Sequence, residues 1–169
     1  MDVRILRLWM MLAAAMLCIF VPKNAHAAND CPWLNEATAS GILGSDAVGT
    51  YTAATNGQTA TCSFVATSTD AKRTLRISVK ALVHSAHDLI VAIERTCVHG
   101  ATPLDATGNE AIVCRARGAL LSEYVAGRVR DQVFSITLST TRKDDPVLTD
   151  KTLRMHIAVA AEQVSGNLF

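Results

Sequence analysis

Across 74–83 apolar and polar residues alternate without a break. Leu75, Ile77, Val79, Ala81 and Val83 fall on one side and Thr74, Arg76, Ser78 and Lys80 on the other. A period of two marks a strand with one buried and one wet face, so the chain must form a sheet and supply a layer to cover it. Two apolar stripes of helical period meet that need. Ser85-Ala86-His87-Asp88 resembles a capping box, and Ala86, Leu89, Ile90, Ile93 and Cys97 follow at helical spacing, predicting a helix to about Cys97. Near the end, Asp145 as cap and Pro146 as first residue predict a helix whose Leu153, Ile157, Ala160, Ala161 and Val164 make one stripe.

Turn chemistry sets the remaining elements. Asn35 is placed to cap a short helix over 36–43 that Gly44 ends. Segments 47–54 and 59–67 are rich in Thr, Val and Tyr and flank Asn56-Gly57, a strong hairpin signal. Segment 99–109, with Gly100, Pro103 and Gly108, reads as a loop, and 110–117, 120–129 and 132–140 read as three further strands. The expectation is an α+β fold of order αβββαβββα, in which one mainly antiparallel sheet of about six strands is covered by the two longer helices.

The first 27 residues read as an export signal. Arg4 and Arg7 give a positive start, 8–21 is apolar, Pro22 ends the run, and Ala25-His26-Ala27 is a cleavage pattern. The run is shorter than the roughly 20 residues that span a bilayer, so residues 28–169 are expected to be a single globular domain in the periplasm or outside the cell, with no stable membrane insertion once the signal is removed. Cys18 follows Ala15-Met16-Leu17, but Leu17 is bulky where lipoprotein signals carry Gly or Ala, so cleavage is preferred to lipidation. Four cysteines then remain. An even set in an oxidising compartment implies two disulfides, and the absence of C-x-x-C spacing removes the common zinc and redox readings. The preferred pairing is Cys31 with Cys62 and Cys97 with Cys114, the second closing a short loop.

Without the signal the chain holds 13 basic and 14 acidic residues, a formal charge of −1. No long-range field follows, which argues against nucleic acid or an anionic membrane as partner. G-x-S-x-G, P-loop, H-E-x-x-H and G-x-G-x-x-G motifs are absent. His84 and His87 form H-x-x-H beside Asp88, with His99 further on, yet His84 precedes the helix cap and a metal site needs at least three converging ligands. His156 lies at the edge of the last apolar stripe, as a partly buried, hydrogen-bonded histidine would. No catalytic residue, cofactor or metal site is assigned.

Three blocks carry a family resemblance: Cys31-Pro32-Trp33-Leu34 opening the short helix, with Cys62-Ser63-Phe64 in a strand; the turn 104–111; and the hairpin through Arg128-Val129-Arg130-Asp131-Gln132-Val133 before the last helix. The chain resembles small secreted and lipid-anchored domains of PsbP-like fold, related to the extracellular sensor domain of mycobacterial serine/threonine kinases. That resemblance implies binding in a cleft between sheet and helices, and it brings no catalytic residues.

The residues themselves offer one candidate binding surface. Arg76 and Lys80 share the wet face of the alternating strand, and Arg115, Arg117, Arg128 and Arg130 lie in or beside later strands. Gathered on neighbouring strands, Arg76, Lys80 and Arg115 would bind an anion or an acidic partner. The plainer reading is a solvated face balanced by Asp70, Glu123 and Asp131, and Trp33 and Tyr124 read as packing residues. The functional expectation is a non-catalytic binding or sensor-like module for an unknown ligand or protein. The alternative is a secreted inhibitor or immunity-type protein that would present the 99–109 loop to an enzyme.

Overall fold

A computed structural model describes residues 30–81, 86–95, 97–117 and 121–169. The export signal, Cys18, Val83, His84 and Ser85 lie outside the described residues. Helix α1 (Glu36–Leu43) is followed by β1 (Val48–Thr52), β2 (Ala60–Thr67) and β3 (Lys72–Ala81). Next come α2 (Ala86–Glu94), β4 (Cys97–Pro103), β5 (Glu110–Ala116), β6 (Leu121–Val129), β7 (Gln132–Thr140) and α3 (Asp150–Leu168). The strands form one seven-stranded sheet in the order β1-β2-β3-β7-β6-β5-β4, antiparallel at every step. The α+β class and the antiparallel sheet match the sequence expectation, with one strand more than the expected six.

The additional strand is β4. Positive φ at His99 (64°) and Gly100 (82°) makes a bulge that shifts the pairing between Val98 and Thr102, so the segment pairs with β5 despite its turn residues. Cys97 therefore starts a strand rather than ending a helix, and the Cys97–Cys114 disulfide joins two adjacent edge-side strands. The Cys31–Cys62 bridge ties the start of the described chain to β2, so both expected pairings are present.

Local signals act as expected at α1, where the Asn35 side chain accepts from the Thr38 amide and Gly44 closes the helix at φ 71°. There the Val147 side chain packs so close that a Cβ on Gly44 would meet it at 2.4 Å. The Asn56-Gly57 turn also forms, with φ of 49° and 75°, although paired strand residues end at Thr52 and resume at Ala60. The last helix begins later than expected. Asp145 accepts from the Val147 and Leu148 amides and so caps a turn, but its carboxylate is also held by Arg73; α3 starts at Asp150 behind a Thr149/Thr152 capping box.

The core lies between one sheet face and α1 with α3. Leu75, Ile77, Phe64, Phe134, Ile136 and Leu138 meet Leu153, Ile157, Ala160, Ala161 and Val164, all buried. Ala81 departs from the alternation and is exposed at the strand end. Both longer helices were expected on one face; instead α2 packs on β4, β5 and β6 from the opposite side. Its Ile90 is buried and its His87 Nδ1 lies 2.8 Å from Glu110 Oε1, on the face that also carries Cys114. One end of the sheet is thus covered on both faces, the other on one.

Candidate functional site: the open face of the sheet

Among the described residues no helix covers the outer face of β1, β2, β3 and β7. Its register is fixed by the core, because Leu75, Ile77 and Val79 point inward opposite Leu138, Ile136 and Phe134. The alternate positions must point outward: Lys72, Thr74, Arg76, Ser78 and Lys80 on β3, Thr61, Ser63, Val65 and Thr67 on β2, and Ser135, Thr137 and Ser139 on β7. Lys72, Arg76 and Lys80 are exposed, and the short hydroxyl side chains beside them are half-buried or exposed. At about 3.3 Å per residue the three cations stand roughly 13 Å apart along one strand.

No outward position of these four strands carries an acid, and among the described residues none of the three cations forms an ion pair. The acids that could have balanced them lie elsewhere: Asp70 pairs with Arg142 at 3.6 Å, and Glu123 lies on the helix-covered face. A cross-strand row runs Ser63, Arg76, Thr137, Tyr124, placing a tyrosine at the margin where α2 begins to cover the sheet. Burial raises the Tyr124 phenol above its ordinary value, opposed by a side-chain hydrogen bond with Ser135. A second row places Lys80, Val133 and Arg128 side by side, so Arg128 joins this face from β6.

Arg115 does not. Its register with Glu123 puts it on the face covered by α3, so Arg76 and Lys80 are brought together and Arg115 is separated from them by the thickness of the sheet. There Arg115 Nη2 donates to Asp150 Oδ1 at 2.6 Å, and its Nε lies 3.8 Å from Glu123 Oε1. Arg154 Nη1 lies 3.8 Å from Glu123 Oε2 while its other nitrogen donates to Thr102 Oγ1. Both guanidinium groups are committed elsewhere, and Glu123 Oε2 is buried without a hydrogen bond among the described residues. Burial raises the Glu123 carboxyl above its ordinary value, only partly offset by Arg154 and Arg115, and Asp150 pushes the same way.

Arg117 donates to the Cys97 carbonyl, and Arg130 lies over the Phe169 ring, so neither joins the open face. His87 bonds Glu110, His99 sits exposed in the β4 bulge, and His156 Nδ1 lies 2.7 Å from the Ile42 carbonyl at the end of α1. Trp33 packs edge-on against Tyr51 and is buried, a packing role as expected. Glu36 does more than favour a helix start: it accepts from the Gly49 amide at 2.7 Å and so covers the free edge of β1. Sequence reasoning missed Lys72, because the inward Arg73 interrupts the apolar side of the alternation and made the strand read as starting at Thr74.

Separate concavities lie elsewhere among the described residues. One of them, about 390 Å³, lies between Cys31, Glu36, Gly49 and Phe64. No protein-family model matches this chain, and neither a curated protein nor a solved structure matches it significantly.

Proposed function

We propose that the protein is an exported, non-catalytic binding module of the sensor-like kind, and that the outer face of β1, β2, β3 and β7 is its binding surface. The observation that carries the reading is the row Lys72, Arg76, Lys80, which among the described residues forms no ion pair and is covered by no helix. Cations on exposed strands also discourage edge pairing, but these three sit on an interior strand, between β2 and β7, where there is no edge to protect. Two disulfides suit a domain that works in an oxidising compartment. Among the described residues no helix is long and apolar enough to cross a membrane.

The inhibitor alternative rested on a protruding 99–109 loop. Half of that segment is strand, and the remainder is tied to the sheet through Leu104 N to Ala111 O and Asn109 N to Arg128 O, with the Arg130 amide on Asn109 Oδ1. The open face is therefore the preferred reading. Its test is the size of the protein in a native extract. The wild type is expected to migrate in a complex larger than a monomer, and Arg76→Glu/Lys80→Glu to migrate as a folded monomer. Equal migration of the two proteins would contradict the reading.

A further inference from the structure

Resting on that reading of the open face, we propose that its ligand is an acidic polysaccharide, a linear sugar chain bearing carboxylate groups, lying along β3. Three features point to this chemistry. First, Lys72, Arg76 and Lys80 are in line on one strand, and no outward acid on β1, β2, β3 or β7 opposes them, whereas Arg128, two strands from Lys80, stands opposite Glu110. A row of separated cations complements a row of separated anions rather than a single charged group.

Second, the positions between and beside the cations are hydroxyls: Thr74 and Ser78 on β3, Ser63 and Thr61 on β2, Ser135, Thr137 and Ser139 on β7. Thr61 Oγ1 and Ser78 Oγ share one long hydrogen bond of 3.5 Å, and a hydroxyl, with one donor and two acceptor sites, keeps further capacity for a ligand. Sugar hydroxyls, which both donate and accept, match such an array. Third, the one aromatic in the central row, Tyr124, stands at its margin, and the outward positions of the four open strands hold no aromatic, their apolar side chains being the valines Val48, Val65 and Val133. Stable protein interfaces draw their energy from buried aromatic and arginine anchors, and single-stranded nucleic acid needs a series of stacking rings.

The test is equilibrium binding of the disulfide-intact protein to polygalacturonate, with dextran and polyglutamate of similar length as a neutral sugar chain and a sugar-free polyanion. Polygalacturonate is expected to bind and dextran not to bind. Affinity should fall with salt roughly in proportion to the cations engaged. Arg76→Ala should weaken binding about tenfold and reduce the salt slope. Thr74→Val/Ser78→Ala should weaken polygalacturonate and leave any polyglutamate binding unchanged. Failure to bind polygalacturonate at low salt, equal binding of polyglutamate, or an unaltered Arg76→Ala variant would each overturn the proposal. If any of these occurred while Arg76→Glu/Lys80→Glu still dissolved the native complex, only the ligand chemistry would fall and the open face would stand as the binding surface.

Discussion

Arg73 meets Asp145 in a two-pronged bond, Nε to Oδ2 at 2.8 Å and Nη2 to Oδ1 at 2.9 Å, with both side chains buried. The pair ties the start of β3 to the segment leading into α3. Arg73 also donates to the Leu43 carbonyl at the end of α1, and Asp145 accepts from Thr140 Oγ1 on β7. One buried pair thus fastens both helices of the core layer to the sheet.

Removing one partner should cost far more than an exposed salt bridge would. Asp145→Ala leaves a buried guanidinium without its carboxylate, and we predict a loss of about 3–5 kcal/mol in denaturant unfolding. Burial alone would raise the Asp145 carboxyl, but the bonds from Arg73, Thr140 and the Val147 and Leu148 amides outweigh it and hold the group well below the usual carboxylate range. A folded-state value below the unfolded one contributes stability above the ordinary carboxyl pKa and loses it as pH falls. Wild-type stability should therefore drop below about pH 4, and this drop should be smaller in Asp145→Asn.

Glu123 has the opposite sign. Its carboxyl is raised by burial, so its contribution is fully present below the ordinary value and is lost as pH rises through the folded one. Glu123→Gln should gain stability relative to wild type as pH increases from about 4 toward neutrality. Parallel stability profiles for the two proteins across that range would contradict the burial of this group.

The alternating strand allows a test of which face is covered. Ile77→Ala should cost about 2–5 kcal/mol through lost burial and a cavity, while Arg76→Ala should stay within about half a kcal/mol. Equal losses in denaturant melts would mean that the register differs, and a slip of one residue would turn the cations inward.

Much of this arrangement was legible in local signals. The Asn35 cap, the Asn56-Gly57 turn, the alternation at 75–79 and the stripe of α3 each depend on neighbours in sequence, and each formed. What escaped depends on partners far along the chain. Arg73 reads as a strand breaker until Asp145, 72 residues away, is seen to receive it. Residues 99–103 read as part of a loop because His99 and Gly100 occupy a bulge that only the pairing with β5 explains. The face taken by α2 was not readable, since a stripe such as Ile90 and Ile93 states that one side is buried without stating against which side of a sheet. For that reason Arg115 was grouped with Arg76 and Lys80, although its register places it across the sheet from them.

Occupation of the open face when the protein is at work is read by lysine labelling. Lys72 and Lys80 lie on that face, whereas Lys143 and Lys151 are exposed in the segment before α3 and in its first turn and serve as internal references. Amine labelling of the protein in native extract, compared with the purified protein and read by mass spectrometry, should show Lys72 and Lys80 protected while Lys143 and Lys151 label equally in both. Equal labelling of all four lysines in the two samples would contradict the account.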